Sequence, residues 1–323
     1  MTDELVVRPA GAADRQHILE LLARTLGWER SERSSELFAW KHDHNVFGPS
    51  PAWVAWDGDH LAGFRTVLRW EFELDGETVR AVRAVDTATD PAVRRRGIFR
   101  RLTLQALEDL RAGGVAFVFN TPNDQSRPGY LAMGWQIAGR VPLAARPTGL
   151  GGLVRMARAR FPADLWSASG AGGEPARCVL EDTGSISELL KSQARVKTLR
   201  TRRSVEYLRW RYGLPLLDYR AAIMPGGINA GVAFFRVRRR GPAREATVCD
   251  VLVPRHDRSG ERHLIRQVAK CSRSDYVLCV PKVRAGGIPL PRQGPTITTR
   301  TVERRAPRVP DGWVPSLGDL ELF

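Results

Sequence analysis

Two groups of residues in this 323-residue chain combine types and spacings suited to chemistry. The first is Arg94, Arg95, Arg96 and Gly97, followed by Ile98 and Phe99. Apolar residues then recur at Ile98, Leu102, Ala106, Leu107 and Leu110, with Arg100, Arg101, Gln105, Glu108 and Asp109 between them. That spacing is one face of an amphipathic helix. A basic turn leading into a helix can hold phosphate, because first-turn N–H groups are unpaired and sit at the positive end of the helix dipole. Gly97 lets an anion approach the backbone, and arginine adds forked donors. The plainer alternative is a solvated basic helix start in an Arg-rich chain. The second is the stretch 123–135, which contains Tyr130, a phenol and so a group able to act as a general acid. Asp86 and the pair His42 and His44, with Asp43 between, are further groups able to move or hold a proton.

Elements that position these groups are legible in the pattern. Residues 77–89 read as a strand rich in Val, Ala and Thr, ended by Asp90 and Pro91. Its alternation slips between Ala81 and Val82, which places a bulge there. Upstream lie a strand at 5–8, an amphipathic helix at 13–26, a second helix at 31–41, and strands 51–56 and 60–70 around Asp57, Gly58 and Asp59. Downstream, 115–119 is an all-apolar run expected of a strand buried on both faces, followed by a helix at 126–133 and a strand at 135–144. The order β-α-α-β-β-β-α-β-α-β describes an α/β fold with a mixed sheet.

Arg94-x-x-Gly97-x-Phe99, after a strand and Pro91, resembles the acyl-CoA-binding motif of the GNAT N-acetyltransferase superfamily, Arg/Gln-x-x-Gly-x-Gly/Ala. Phe99 departs from it, standing where a small residue is usual. No Gly-Lys-Ser/Thr follows, so the turn is not a P-loop. Asn123, Tyr130 and Gly134 fall at the spacing of a second signature of the same family, with Ser126 for Ala and Trp135 for Phe. The resemblance implies a GNAT fold, acetyl-CoA or another acyl-CoA as donor, and a small amine such as an amino sugar or amino-acid-like metabolite as acceptor. It implies cofactor contacts from Thr87, Ala88, Thr89, Arg94, Arg95, Arg96, Gly97, Ile98, Phe99, Asn123 and Ser126. Tyr130 either protonates the leaving sulfur, as in the family, or packs on the cofactor. Asp86 is the first candidate base, or equally a structural acceptor for a backbone turn, with His42, His44 and Trp40 on the segment that walls the acceptor site in similar proteins. The terminal carboxylate of Phe323 or an ordered water are the other candidates.

The chain also repeats itself. Glu36, Trp40 and Lys41 have counterparts in Glu206, Trp210 and Arg211 at a common offset, and a hairpin, a strand and a helix follow each box in the same order. The expectation is two tandem GNAT-like domains, 1–145 and 176–323, joined by a Gly- and Pro-containing linker at 146–175 that carries one arginine-bearing helix. In the second copy Arg255, His256, Asp257, Arg258, Ser259 and Gly260 replace the phosphate turn, so that copy is expected to be degenerate, to lack CoA and to shape the acceptor pocket or the interface.

Fifty basic against 35 acidic residues give a net charge of +15 and a pI near 10.6, which predicts attraction to anions. No zinc-finger, RRM or KH signature accompanies the charge, so nucleic acid is the minor partner reading; an acyl carrier protein docking on the basic face is the other. Cys178, Cys249, Cys271 and Cys279 form no Cys-x-x-Cys pair, and only His256 and His263 lie near them; they read as small buried hydrophobes, with no metal. No apolar run reaches membrane-spanning length, and the acidic first residues lack a leader pattern, which predicts a cytoplasmic protein.

Overall fold

The computed structural model describes residues 5–193, 198–255, 257–281, 287–303, 309 and 313–321; His256 and Phe323 lie outside them. The first half runs β1 (Val6–Pro9), α1 (Arg15–Leu26), α2 (Glu32–Phe38), β2 (Ala52–Asp57), β3 (His60–Leu74), β4 (Glu77–Thr89), α3 (Ile98–Ala112), β5 (Phe117–Asn120), α4 (Arg127–Ala132) and β6 (Gln136–Arg140). The second half continues with β7 (Ala144–Pro147), α5 (Leu150–Arg158), β8 (Glu174–Pro175), α6 (Ala176–Val179), α7 (Thr183–Ser192), β9 (Arg200–Thr201) and α8 (Val205–Gly213). After these come β10 (Arg220–Ile223), β11 (Val232–Arg240), β12 (Ala243–Leu252), α9 (Arg258–Cys271), β13 (Tyr276–Cys279), β14 (Ile288–Pro289) and β15 (Thr296–Thr301). No described helix is long and apolar enough to cross a membrane.

Two mixed sheets result, ordered β1-β2-β3-β4-β5-β15-β6, with β9 on the side of β3, and β14-β7-β13-β12-β11-β10-β8. The sheets exchange strands. β15, from near the end of the second half, pairs antiparallel with β5 on one side and β6 on the other. β7 runs the opposite way along the chain, leaving the first half to pair with β13. The exchange has a plain cause: β5 is buried on both faces and needs a ladder partner on each edge, and the β-branched run of β15 supplies the second. Residues 146–175, expected to be a linker, contain regular elements. They carry part of β7 together with α5 and β8, and Arg155 of α5 pairs with Asp275 at 2.7 Å.

Both halves share one device. β4 runs parallel to β5 only over Ala81–Arg83, and β12 runs parallel to β13 only over Glu245–Thr247. Each of β4 and β12 then carries a register break against its hairpin partner, opposite Arg65 in β3 and between Phe234 and Phe235 in β11. The β4 bulge thus sits at Asp86 and Thr87, not at the Ala81–Val82 slip. That slip marks where both faces of β4 become buried.

The repeat boxes meet face to face. Trp40 and Trp210 stack at 5.3 Å, and each indole N–H donates to the other's backbone carbonyl, at 2.6 and 2.9 Å. One hydrophobic cluster spans the two sheets here, joining Trp40, Trp70, Phe72, Phe119, Tyr207 and Trp210. Segment 313–321 closes it: Trp313 packs edge-on against Phe72 at 5.2 Å and Phe119 at 5.7 Å. Of the cysteines, Cys249 and Cys279 are buried as expected, but Cys178 is exposed because it faces outward from the four-residue α6.

Candidate active site

The bulge in β4 builds the site. Where β4 turns away from β5, its facing edge has no ladder partner among the described residues, and a cleft of about 640 Å³ opens beside it. The floor is the bulge itself, with Asp86 and Thr87 (Thr89 lies farther along the strand); the far wall is Asn120, Asn123 and Ser126; the near wall is the start of α3. Asp86 occupies left-handed backbone (φ 43°), a conformation uncommon for a side-chain-bearing residue and frequent where a bulge aims a group.

The basic turn forms as expected. Gly97 caps α3 with φ 73° and no side-chain cap, so the first-turn amides are left for a ligand. A Cβ built on Gly97 meets nothing within 4 Å, which is the cradle an anionic group needs. Arg94, Arg95, Gly97, Ile98 and Phe99 all line the cleft. Arg96 does not: it is drawn to an ion pair with Asp57 on the far side of the turn. Ala88 is also absent, buried in the core under α1.

The matching turn of the second half differs in one decisive way. There Asp257 caps α9 with its own carboxylate, accepting from Gly260 N at 2.8 Å, so the amide end that α3 leaves open is already filled by an anion. The cleft beside β12 shrinks to about 90 Å³, with Ser316 and Leu317 of segment 313–321 among its walls.

Tyr130 stands at the inner end of the first cleft, its ring edge-on to Phe99 at 5.2 Å and to Trp135 at 5.1 Å. Phe99 therefore props the tyrosine, which accounts for a large residue where the motif has a small one. The hydroxyl of Tyr130 accepts from Arg65 Nη1 at 2.8 Å.

Asp86 is the centre of a buried charge cluster. Its Oδ2 accepts from Lys41 Nζ at 2.7 Å and from His42 Nε2 at 2.9 Å. Lys41 and His42 come from a π-helical turn, Ala39–Asp43, that continues α2. The wider turn lets two successive side chains reach one carboxylate, and such turns recur at functional sites. Burial opposes ionisation of Asp86, but the Lys41 ammonium and His42 outweigh it and hold the carboxyl well below the usual range. Burial pushes Lys41 and His42 down, against the pull of Asp86.

Of the acceptor-side residues expected from sequence, the structure brings only His42 to the site. Trp40 is committed to the Trp210 stack, and His44 is exposed beyond the turn. The sequence reading missed Lys41, which was visible only as part of the repeat box, and Arg65, which sits in the middle of β3 with no local signal. It also missed Arg83 and Thr121, which join at 3.1 Å across the cleft's deep end.

A family model described as a GNAT acetyltransferase domain matches residues 6–138. No curated protein matches the chain. Among solved structures, it is similar to a probable N-acyltransferase from Enterococcus faecalis (13% identity, TM-score 0.64, covering 93% of this chain and 73% of that one). It is likewise similar to a GCN5-related N-acetyltransferase from Anabaena variabilis (14%, 0.63, 93% and 73%) and to Eis1 from Mycobacterium abscessus (14%, 0.56, 93% and 74%). At such identities these likenesses bear on the fold, which they share along nearly the whole chain.

Proposed function

Since the chain is a member of the GNAT acetyltransferases through residues 6–138, we propose that it transfers an acyl group, acetyl in the first instance, from acyl-CoA to a small-molecule amine, with both substrates bound together. The observation that carries this reading is the open, uncapped start of α3 beside a bulged strand, with Tyr130 at the inner end of the same cleft. The donor supplies the thioester; the rest is done by residues of this chain. Arg94, Arg95 and the amides after Gly97 hold its diphosphate. Unpaired backbone of β4 near Thr87 and Thr89 lies alongside the pantetheine arm and polarises the carbonyl. Tyr130 gives its proton to the departing sulfur.

Asp86 accepts an N–H of the incoming amine and points its lone pair at the carbonyl carbon. A carboxylate held so far down is a weak proton acceptor, so orienting the amine is its main work, and the surplus proton leaves through the open cleft. The second half carries no donor, because Asp257 fills its helix start. It serves instead to brace the acceptor side through the Trp40–Trp210 contact.

Two measurements test the reading. Tyr130→Phe is expected to lower kcat in a thiol-release assay by about 100-fold with little change in the KM for acetyl-CoA. Equal rates would remove the tyrosine from the chemistry. Gly97→Val forces a side chain into left-handed backbone and into the cradle, so the Kd for CoA should rise at least about tenfold, roughly 1.4 kcal/mol. Unchanged binding in calorimetry would move the diphosphate elsewhere.

A further inference from the structure

Arg65 lies in β3 opposite the bulge and is 1% exposed. Its Nη1 donates to Tyr130 Oη at 2.8 Å and to Thr87 Oγ1 at 3.2 Å, and its guanidinium carbon sits 5.4 Å from the Tyr130 ring and 5.8 Å from that of Phe99. Among the described residues no carboxylate pairs with it, and its Nε has no hydrogen-bond partner. Two other buried arginines have anions: Arg236 pairs with Glu321 at 2.7 Å and Arg203 with Asp250 at 2.5 Å. A buried cation without a counter-ion is costly, and an apolar side chain of similar length would fold at least as well.

We propose that the counter-charge of Arg65 is transient: Arg65 is a positioning residue that holds Tyr130 and steadies the negative charge formed when the thioester breaks. This rests on Tyr130 being the acid. The direction of the hydrogen bond supports it. A guanidinium has no acceptor, so the phenol hydrogen must point away from Arg65, and it is thereby left for the sulfur. During transfer the amine lone pair forms the C–N bond and the C–S pair departs with sulfur. The Tyr130 proton moves to that sulfur, the amine releases its own proton past Asp86 to solvent, and Tyr130 is reprotonated from solvent. Arg65 keeps all its protons and faces the phenolate while it lasts. Thr87 Oγ1, on the bulge, fixes the second edge of the same Nη1 and so ties the acid to the strand that bears the carbonyl site.

The test is a double-mutant cycle in kcat and KM for acetyl-CoA, on proteins whose thermal midpoints are recorded. Arg65→Met, matched in length and apolar, should leave the KM within about threefold and lower kcat on the order of 10²-fold, the usual loss for one preorganised donor. Arg65→Lys, keeping the charge, should recover at least about tenfold of that. On a Tyr130→Phe background, Arg65→Met should cost less than about threefold, because the group it steadies is gone. A full additional loss on that background overturns the proposal, as does an Arg65→Met enzyme with near-normal kcat. Should Arg65→Met not fold, the Arg65→Lys loss on the two backgrounds decides by the same criterion. Tyr130→Phe with wild-type kcat overturns the acid reading and this inference together, whereas a slow Tyr130→Phe with an unaffected Arg65→Met overturns this inference alone.

Discussion

Replacing Asp86 by Asn is expected to lower kcat/KM on the order of 10²-fold or more, at every pH where the protein is folded. Among the described residues the carboxylate is the one acidic side chain lining the cleft, and its two cationic partners keep it ionised far into acid. The acid limb of the wild-type pH profile should therefore not come from Asp86. It should follow the acceptor amine, which must be neutral to attack, and shift when a less basic amine is used. A limb that stays fixed across amines of different basicity, and disappears in Asp86→Asn, would mean that Asp86 titrates as the base after all. The substitution also removes the carboxylate that Lys41 and His42 share, so rates are to be scaled by the fraction of sites that bind CoA. Asp86→Glu, which keeps the charge but displaces it, should retain the fold and still be slow.

The largest effect on stability is expected at Glu321. Its Oε1 accepts from Arg236 at 2.7 Å, and its Oε2 accepts from the Tyr219 hydroxyl and from Arg211 Nη2 at 3.3 Å, all of them buried. Removing the charge in Glu321→Gln takes the shared buried carboxylate away from Arg236 and Arg211, at a cost of about 3–5 kcal/mol. The same site gives a pH dependence whose sign is fixed. Burial opposes ionisation, but Arg236, Arg238 and Arg211 hold Glu321 down to about 2, below its ordinary 4.5. A depressed carboxyl contributes stability that is fully present above its unfolded value and is lost as pH falls through its folded one. The wild type should therefore lose about 3 kcal/mol from this group between pH 4.5 and 2. Urea midpoints measured down that range should fall more steeply for wild type than for Glu321→Gln. Parallel slopes would show that Glu321 is not held this way. The consequence for function is that segment 313–321 is a fastener of both halves, since Arg83 of the first sheet donates to the Asp319 carbonyl beside it.

Most of the geometry at the start of α3 was legible in the residues because it is local. Gly97 before an amphipathic run is enough to specify an uncapped helix start, and Pro91 and Asp90 end the strand that leads to it. The offset between the Trp40 and Trp210 boxes was legible for the same reason, since each is a contiguous helical segment. The meaning of that offset was not, because a sequence shows that two boxes are alike without showing that they stack on one another.

What the residues determined by themselves, then, is the order of elements, the basic uncapped turn before α3 and the likeness of the two boxes, each fixed by propensity and spacing within a few dozen positions. What only tertiary structure decided is which strands share a sheet and which charges share a site. β15 enters the first sheet from far along the chain because β5 has an edge to satisfy. Lys41, Asp86, Arg65 and Tyr130 come from a helix turn, two strands and a later helix, and they meet only because the β4 bulge places them around one cleft. The partners each group meets give it its chemistry, and those partners belong to the packed whole rather than to any stretch of the chain.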